Sequence, residues 1–353
     1  MLVLALLSPA VGPKQVTARG VAPRPQTTRR PVQPGPPVDP TRPYWASHVA
    51  KAVGPLIDQP AVADAAPPPD PMAPAVTMAT GDDRLAAFRG LGTWIDLYDQ
   101  SLLPEEQVAI AVAGGVQTIF AQASFTRTEG VGEPERLARL IEVAHDHGLQ
   151  VMVWTLPSLV DVHADHVRAH DAAMFTTPRG DRPDALGIDI EVTAVADVAE
   201  RNRRLLELLT AIRTQNPEVP LAAIPYPPLQ LELNTRLWPA FPWPEVAGLV
   251  DVIIPMSYSS FRGTDWDVTV GWNRDNVTRL RQLTGDDNVP VHLAGGIASD
   301  LPHAGAFTQA VLEAGVIGGS LYDLHTTPAE VWPALRPLTD LVALADGIPP
   351  TTG

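Results

Sequence analysis

From residue 90 onward, eight short β-branched or apolar runs alternate with longer polar, helix-like segments over about 255 residues. The runs are "GTWIDLYD" (92–99), "VQTIFAQAS" (116–124), "LQVMVWTLP" (149–157), "ALGIDIEV" (185–192), "PLAAIPYP" (220–227), "VDVIIPMSY" (250–258), "VPVHLAGG" (289–296) and "VIGGSLYDL" (316–324). Segments such as "EPERLARLIEVAHDHG" and "VADVAERNRRLLELLTAIRTQ" carry apolar residues at three-to-four spacing. "DHGLQ" and "EAGV" read as helix, glycine cap, next strand. This count and period predict a (β/α)8 TIM barrel over residues 88–345. A doubly wound sheet uses fewer strands, and no G-x-G-x-x-G follows the first run.

Such a barrel keeps its chemistry at the C-terminal ends of the strands. In "ALGIDIEV", alternation puts Gly187, Asp189 and Glu191 on one face and Ile188, Ile190 and Val192 on the other. The β-branched face suits the surrounding helices, so the acids face the barrel axis near its mouth. Two carboxylates about 7 Å apart along one strand repel unless one of them is protonated. The expectation is that Glu191 keeps the proton while Asp189 holds the charge, which is what a general acid needs. A structural pair neutralised by an inward arginine is the alternative.

At these residues the chain resembles the family-18 glycoside hydrolases, the chitinases and their relatives. The fourth-strand signature of that family is D-x-x-D-x-D-x-E, and here the stretch reads Asp184-Ala-Leu-Gly187-Ile-Asp189-Ile-Glu191. The family's sixth strand carries M-x-Y, matched by Met256-Ser257-Tyr258. The resemblance implies that Glu191 protonates the leaving oxygen. The substrate's own N-acetyl group then attacks the sugar carbon, oriented by Asp189 and the Tyr258 hydroxyl. Such substrate-assisted enzymes need no second catalytic carboxylate. Two departures stand out: "WTLPSLV" replaces the Ser-x-Gly-Gly of the third strand, and Tyr322 and Asp323 stand where the last strand has a sugar-flooring tryptophan.

Asp96 in "TWIDLYD" and Asp323 in "SLYDLH" could join Glu191 as a direct two-acid pair, or could cap helices and hold loops. Trp154, Tyr226, Met256 and Tyr322, on other candidate strands, complete the expected sugar-binding set. Trp266 and Trp272, and with them Trp238 and Trp243, fall in the loops after strands five and six, where aromatic side chains can stack on sugar rings or pack against the barrel. His163, His166 and His170 share helical spacing with Asp161 and Asp165. A solvated helix face accounts for that pattern without an ion, so neither metal nor cofactor is expected. "VHLAGGIAS" and "GVIGGSLY" suit the phosphate clamp of a phosphosugar isomerase. Against it, the only lysines are Lys14 and Lys51, so the barrel has no Schiff-base lysine.

The first 80 residues differ in kind, holding 17 of the 38 prolines. "MLVLALLSPAVG" fits a signal-peptide remnant (1–12), too short to span a bilayer, and 13–80 reads as a Pro-rich, disordered spacer. After residue 80 there remain 18 basic and 36 acidic residues, a net of −18, which argues against nucleic acid and anionic membranes as partners. The absence of cysteine excludes disulfides and thiolate chemistry. The sequence thus points to a monomeric, secreted or cell-envelope glycoside hydrolase-like barrel acting on an extracellular or cell-wall polysaccharide. The alternatives are a non-catalytic carbohydrate-binding barrel or a phosphosugar-binding isomerase.

Overall fold

The computed structural model describes residues 81–298 and 300–345. The signal-peptide remnant and the proline-rich spacer expected at 1–80 lie outside the described residues. Eight strands follow one another with helices between them. They are β1 (Gly90–Ile95), β2 (Thr118–Phe125), β3 (Gln150–Leu156), β4 (Ala185–Ile190), β5 (Leu221–Pro225), β6 (Val252–Ile253), β7 (His292–Ala294) and β8 (Gly318–Leu321). The helices after the first four strands are α1 (Pro104–Gly114), α2 (Pro134–Asp146), α3 (Val162–Ala173) and α4 (Val198–Gln215). Two short helices, α5 (Pro228–Leu233) and α6 (Trp243–Ala247), follow β5; α7 (Trp266–Thr284) follows β6 and α8 (Leu301–Glu313) follows β7. After β8 come α9 (Trp332–Leu335) and α10 (Asp340–Ala345).

All pairings are parallel, in the order β6-β5-β4-β3-β2-β1-β8-β7. The two outer strands meet through the bridges Ile253–Val291 and Met256–Ala294, which close the (β/α)8 barrel. This seam is sparse because Pro255 and Pro290 carry no N–H. Their carbonyls still accept, from Ala294 N at 3.3 Å and from Ile253 N at 3.0 Å.

Local sequence sets the helix ends. Asp161, Asp197 and Asp300 cap α3, α4 and α8 by accepting backbone N–H groups at 3.0, 2.8 and 2.9 Å. Gly148 and Gly315, in the two caps read from the sequence, have φ of +74° and +59°, a region costly for other residues.

Two apolar layers result. Leu91, Ile119, Val151, Leu186, Ile188, Ala223, Ile253 and Leu293 face the helices. Trp94, Phe120, Met152, Trp154, Ala222, Ile224, Val252 and Ile254 fill the barrel interior. The floor is closed by a 3-10 turn, Gly81–Phe88, whose Leu85, Ala87 and Phe88 join the interior layer. Arg84 ties that turn to Asp251 at 2.8 Å, and Asp251 also takes Arg213 and the Leu221 N–H, each at 2.8 Å.

Candidate active site

β4 follows the alternation expected of it. Leu186, Ile188 and Ile190 pack outward against the helices. Ala185 packs inward, and Gly187 shares its face: a side chain there would begin 2.8 Å from Ile224 Cδ1 and 3.1 Å from Met152 Cε. The interior is filled at that level, so the missing acid of the D-x-x-D-x-D-x-E pattern has no room. Asp184 lies below the strand, where its Oδ2 accepts from Val151 N at 2.7 Å and contacts His145 Nε2 at 3.0 Å. It anchors β4 to β3 at the floor. Asp189 and Glu191 complete the inward face at the mouth, 7% and 5% exposed.

The mouth is dominated by carboxylates and tyrosines. Burial pushes the Asp189 carboxyl well above its ordinary range, and the charges of Glu191 and Asp96 push it further. Burial therefore favours a proton on Asp189, which the sequence reading left charged. Asp189 Oδ1 is buried without a hydrogen-bond partner among the described residues. The Tyr226 hydroxyl donates to Glu191, and burial with the charges of Glu191 and Asp189 holds that phenol protonated. Tyr258 is held protonated by burial and by Glu191, Asp189, Asp96 and Asp323, so its side chain stands in the field of all four acids.

β1 and β8 face this pair from across the mouth. Tyr322 Oη lies 2.8 and 2.7 Å from the two oxygens of Asp96. Burial lifts Asp96 to about 7 against the pull of that hydrogen bond, with Asp323 and Asp99 adding to the rise. The peptide bond between Tyr322 and Asp323 is cis. Asp323 is likewise raised by burial, although its Oδ1 accepts the Thr326 N–H at 2.8 Å and so also holds the loop after β8.

Beneath the acids lies an aromatic floor. The Trp94 ring meets Phe120 at 4.8 Å, Trp154 at 5.9 Å and Tyr322 at 6.1 Å, and Tyr322 meets Tyr258 at 6.0 Å. Trp94 Nε1 donates to Ser320 Oγ at 2.9 Å, and Trp154 Nε1 to the Phe120 carbonyl at 3.2 Å. His292 Nδ1 donates to the Phe88 carbonyl at 2.8 Å, which leaves Nε2 to accept from Ser320 Oγ at 2.9 Å. Trp94, Ser320 and His292 escaped the sequence reading. The signal was present for the first two, since Trp94 lies two residues before Asp96 and Ser320 two before Tyr322, on the same strand faces.

The structure brings Asp96, Trp154, Asp189, Glu191, Tyr226, Met256, Tyr258, Tyr322 and Asp323 to one mouth and its lining. Trp266 and Trp272 fall elsewhere. Trp266, 45% exposed, opens α7 and bonds Gln309 on α8 at 3.0 Å. Trp272 lies under the Arg262 guanidinium at 4.4 Å. Trp238 and Trp243 are buried around Phe241, with Arg201 over Trp238 at 4.8 Å. The glycine runs after β7 and in β8 are close-packed: a Cβ on Gly295 would lie 2.5 Å from Phe307, and one on Gly318 2.4 Å from His292. Of the α3 histidines, His170 is engaged by Asn216 at 2.9 Å, and no group of three metal-ligating side chains gathers among the described residues. No helix among them is long and apolar enough to cross a membrane.

No protein-family model matches the sequence, and no curated protein matches it. Solved structures do. The endo-1,4-β-mannanase of Rhizomucor miehei superposes with a TM-score of 0.57 at 9% identity, over 73% of this chain and 95% of that one. The catalytic domain of a hyperthermophilic chitinase from Pyrococcus furiosus gives 0.55 at 13% identity, over 74% and 97%. The spore cortex-lytic enzyme SleL of Bacillus cereus gives 0.53 at 10% identity, over 71% and 74%. At these identities the likeness is one of fold, a (β/α)8 barrel.

Proposed function

We propose that the protein is a glycoside hydrolase acting on an extracellular or cell-wall polysaccharide, with Glu191 as the general acid and Asp189 and Tyr258 assisting. One observation carries this reading: two buried carboxylates share the inward face of β4 at the barrel mouth, and one oxygen of Asp189 has no donor. At rest, burial favours a proton on Asp189. A substrate N–H or O–H donated to Asp189 Oδ1 favours the charged form of Asp189 and releases the proton to Glu191. Glu191 then delivers it to the glycosidic oxygen as the bond to the sugar carbon breaks, and the substrate's own N-acetyl oxygen takes the place of the leaving oxygen on that carbon until water displaces it. The Tyr258 hydroxyl faces the developing positive sugar. Trp94 and Trp154 offer the aromatic floor that the last strand does not supply.

The test is incubation with cell-wall and chitin-type oligosaccharides, with reducing ends read by mass spectrometry. Losing a general acid costs on the order of 10²–10⁴ in rate, so Glu191→Gln should nearly abolish turnover with an unchanged fold. Retention of most of the activity would discard Glu191. The closed space at Gly187 favours a second reading, a barrel that binds glycans without cleaving them. It predicts binding without products, equal in the wild type and Glu191→Gln.

A further inference from the structure

Of the two tryptophans on α7, one is covered and the other is open. The Arg262 guanidinium lies over the Trp272 ring at 4.4 Å, whereas Trp266 is 45% exposed. The open ring is nonetheless fixed. Trp266 Nε1 donates to Gln309 Oε1 at 3.0 Å, and Cη2 and Cζ3 lie against the Gly305 backbone, where a Cβ would come within 3.2 Å of them. α8 thus holds the ring at both ends, so its exposed part has an orientation already set. It borders a groove of about 230 Å³ between α7 and α8. Val270, packed with Ala306 and Ala310, gives that groove an apolar base.

A separate observation concerns Gly271, which lines the same groove. It stands inside α7, where glycine is the least favourable residue after proline. Packing supplies no reason for it, since a Cβ there would meet nothing within 4 Å. The other glycines with such room, Gly148, Gly180, Gly285 and Gly315, have a positive φ that calls for glycine. Gly271 is helical, and its effect is outward: it keeps the space beside Trp266 unfilled.

The polar lining sets the ligand class. Asp267 and Arg274 bring one charge of each sign, two turns apart along α7. Gln309 gives Oε1 to Trp266 and one N–H to Glu313 at 2.6 Å, and has a second amide N–H to donate. A strongly charged ligand gains nothing net from balanced charges, and a wholly apolar one would strand the polar groups. A neutral ring with a face of C–H bonds and an edge of hydroxyls satisfies both surfaces.

We propose that this groove is a second glycan-binding site on the outer wall, separate from the mouth. One pyranose ring of a neutral polysaccharide stacks on Trp266, and its hydroxyls bond Asp267, Arg274 and Gln309. A polymer held there and at the mouth is gripped at two points, which raises the effective concentration of sugar at the acids. The glycan as occupant rests on the reading of the mouth as a glycan site; the shape of the groove does not.

The experiment is fluorine NMR of the full chain carrying fluorotryptophan at its eight tryptophans, with mass spectrometry confirming intact sugars. Trp266→Phe assigns the groove signal, and Trp94→Phe and Trp154→Phe assign the mouth signals. The probes are the β-1,4-linked hexamers of N-acetylglucosamine and of mannose. At least one should shift the Trp266 signal saturably. Gly271→Gln, whose side chain enters open space and favours the helix, should keep or raise the thermal midpoint while weakening that response by at least about tenfold. Arg274→Ala should weaken it as well, and serves should the first variant unfold. A shift at the mouth signals with none at Trp266 overturns the proposal and leaves the glycan reading standing. A Trp266 response that both variants keep also overturns it. A Trp266 signal that follows protein concentration and neither hexamer assigns the groove to a second copy of the chain, against the proposal. If no tryptophan of the folded protein responds, both readings fall.

Discussion

Asp96→Asn is the substitution whose effect on stability follows most directly from the geometry. Asp96 is lifted from an ordinary 3.8 to about 7, chiefly by burial. The folded protein therefore keeps a proton that the unfolded chain has released across that interval, and stability falls as pH rises through it. At 1.36 kcal/mol per pH unit the whole interval corresponds to about 4 kcal/mol, an upper figure for a side chain that keeps some contact with solvent. Asparagine has the same shape, can still accept from Tyr322, and has no proton to lose. The variant should match or fall slightly below the wild type near pH 4 and gain on it by about 2–4 kcal/mol by pH 8. His292, which acts in the opposite direction, remains in both proteins and cancels in the difference, while Asp189 loses the charge of Asp96 in the variant and so adds to the gain. Urea unfolding followed by tryptophan fluorescence at pH 4, 6 and 8 measures it. Parallel stability curves for the two proteins would show that Asp96 titrates alike folded and unfolded, and would refute the reasoning.

His292 gives the opposite sign. Burial pushes its imidazole down to about 4 from 6.5, so its contribution is complete above pH 6.5 and is lost as pH falls, by about 3 kcal/mol in all. His292→Leu should flatten that part of the pH profile, while costing about 1–3 kcal/mol at pH 7 because Ser320 and the Phe88 carbonyl lose their partner. Urea midpoints at pH 7 and 4.5 decide it. Gly187→Asp, which restores the missing acid of the strand motif, should destabilise by about 1–3 kcal/mol or more, since its Cβ would start 2.8 Å from Ile224. A thermal midpoint equal to the wild type would mean that the interior yields more readily than its packing suggests.

The strands were legible in the sequence because a barrel strand is read on two faces at once. Ile188 and Ile190 mark the helix side, and the intervening Asp189 and Glu191 can only be inward. The β6 run reads as nine residues but pairs over two, because Pro255 interrupts the ladder while leaving the inward order of Val252, Ile254, Met256 and Tyr258 intact. What the sequence could not yield were relations across the barrel. The bond from Tyr322 to Asp96 joins residues 226 positions apart, and no local pattern announces it. The same holds for the His292–Ser320–Trp94 network. The loop tryptophans failed as site markers for a different reason: a tryptophan after a strand can serve the mouth or the outer helices, and Trp266 is held by Gln309 on the helix side.

The thin join between β6 and β7 gives the ring a clasp. Two bridges hold the backbone there, so much of the closure passes to the neighbouring helices α7 and α8. Val270, Ala306 and Ala310 form a small apolar knot between those helices, and the Trp266 ring lies against the Gly305 backbone, where a Cβ would sit 3.2 Å from it. The barrel should breathe from this point. The amides of Ile253 and Ala294 would exchange with solvent at a rate set by how often the two helices part, while those of the broad β2–β3 ladder wait for global unfolding. The exposed tryptophan then acts as a rivet on the outside of the wall, and Tyr258, two residues beyond the Met256 bridge, sits on the section of wall that this clasp holds.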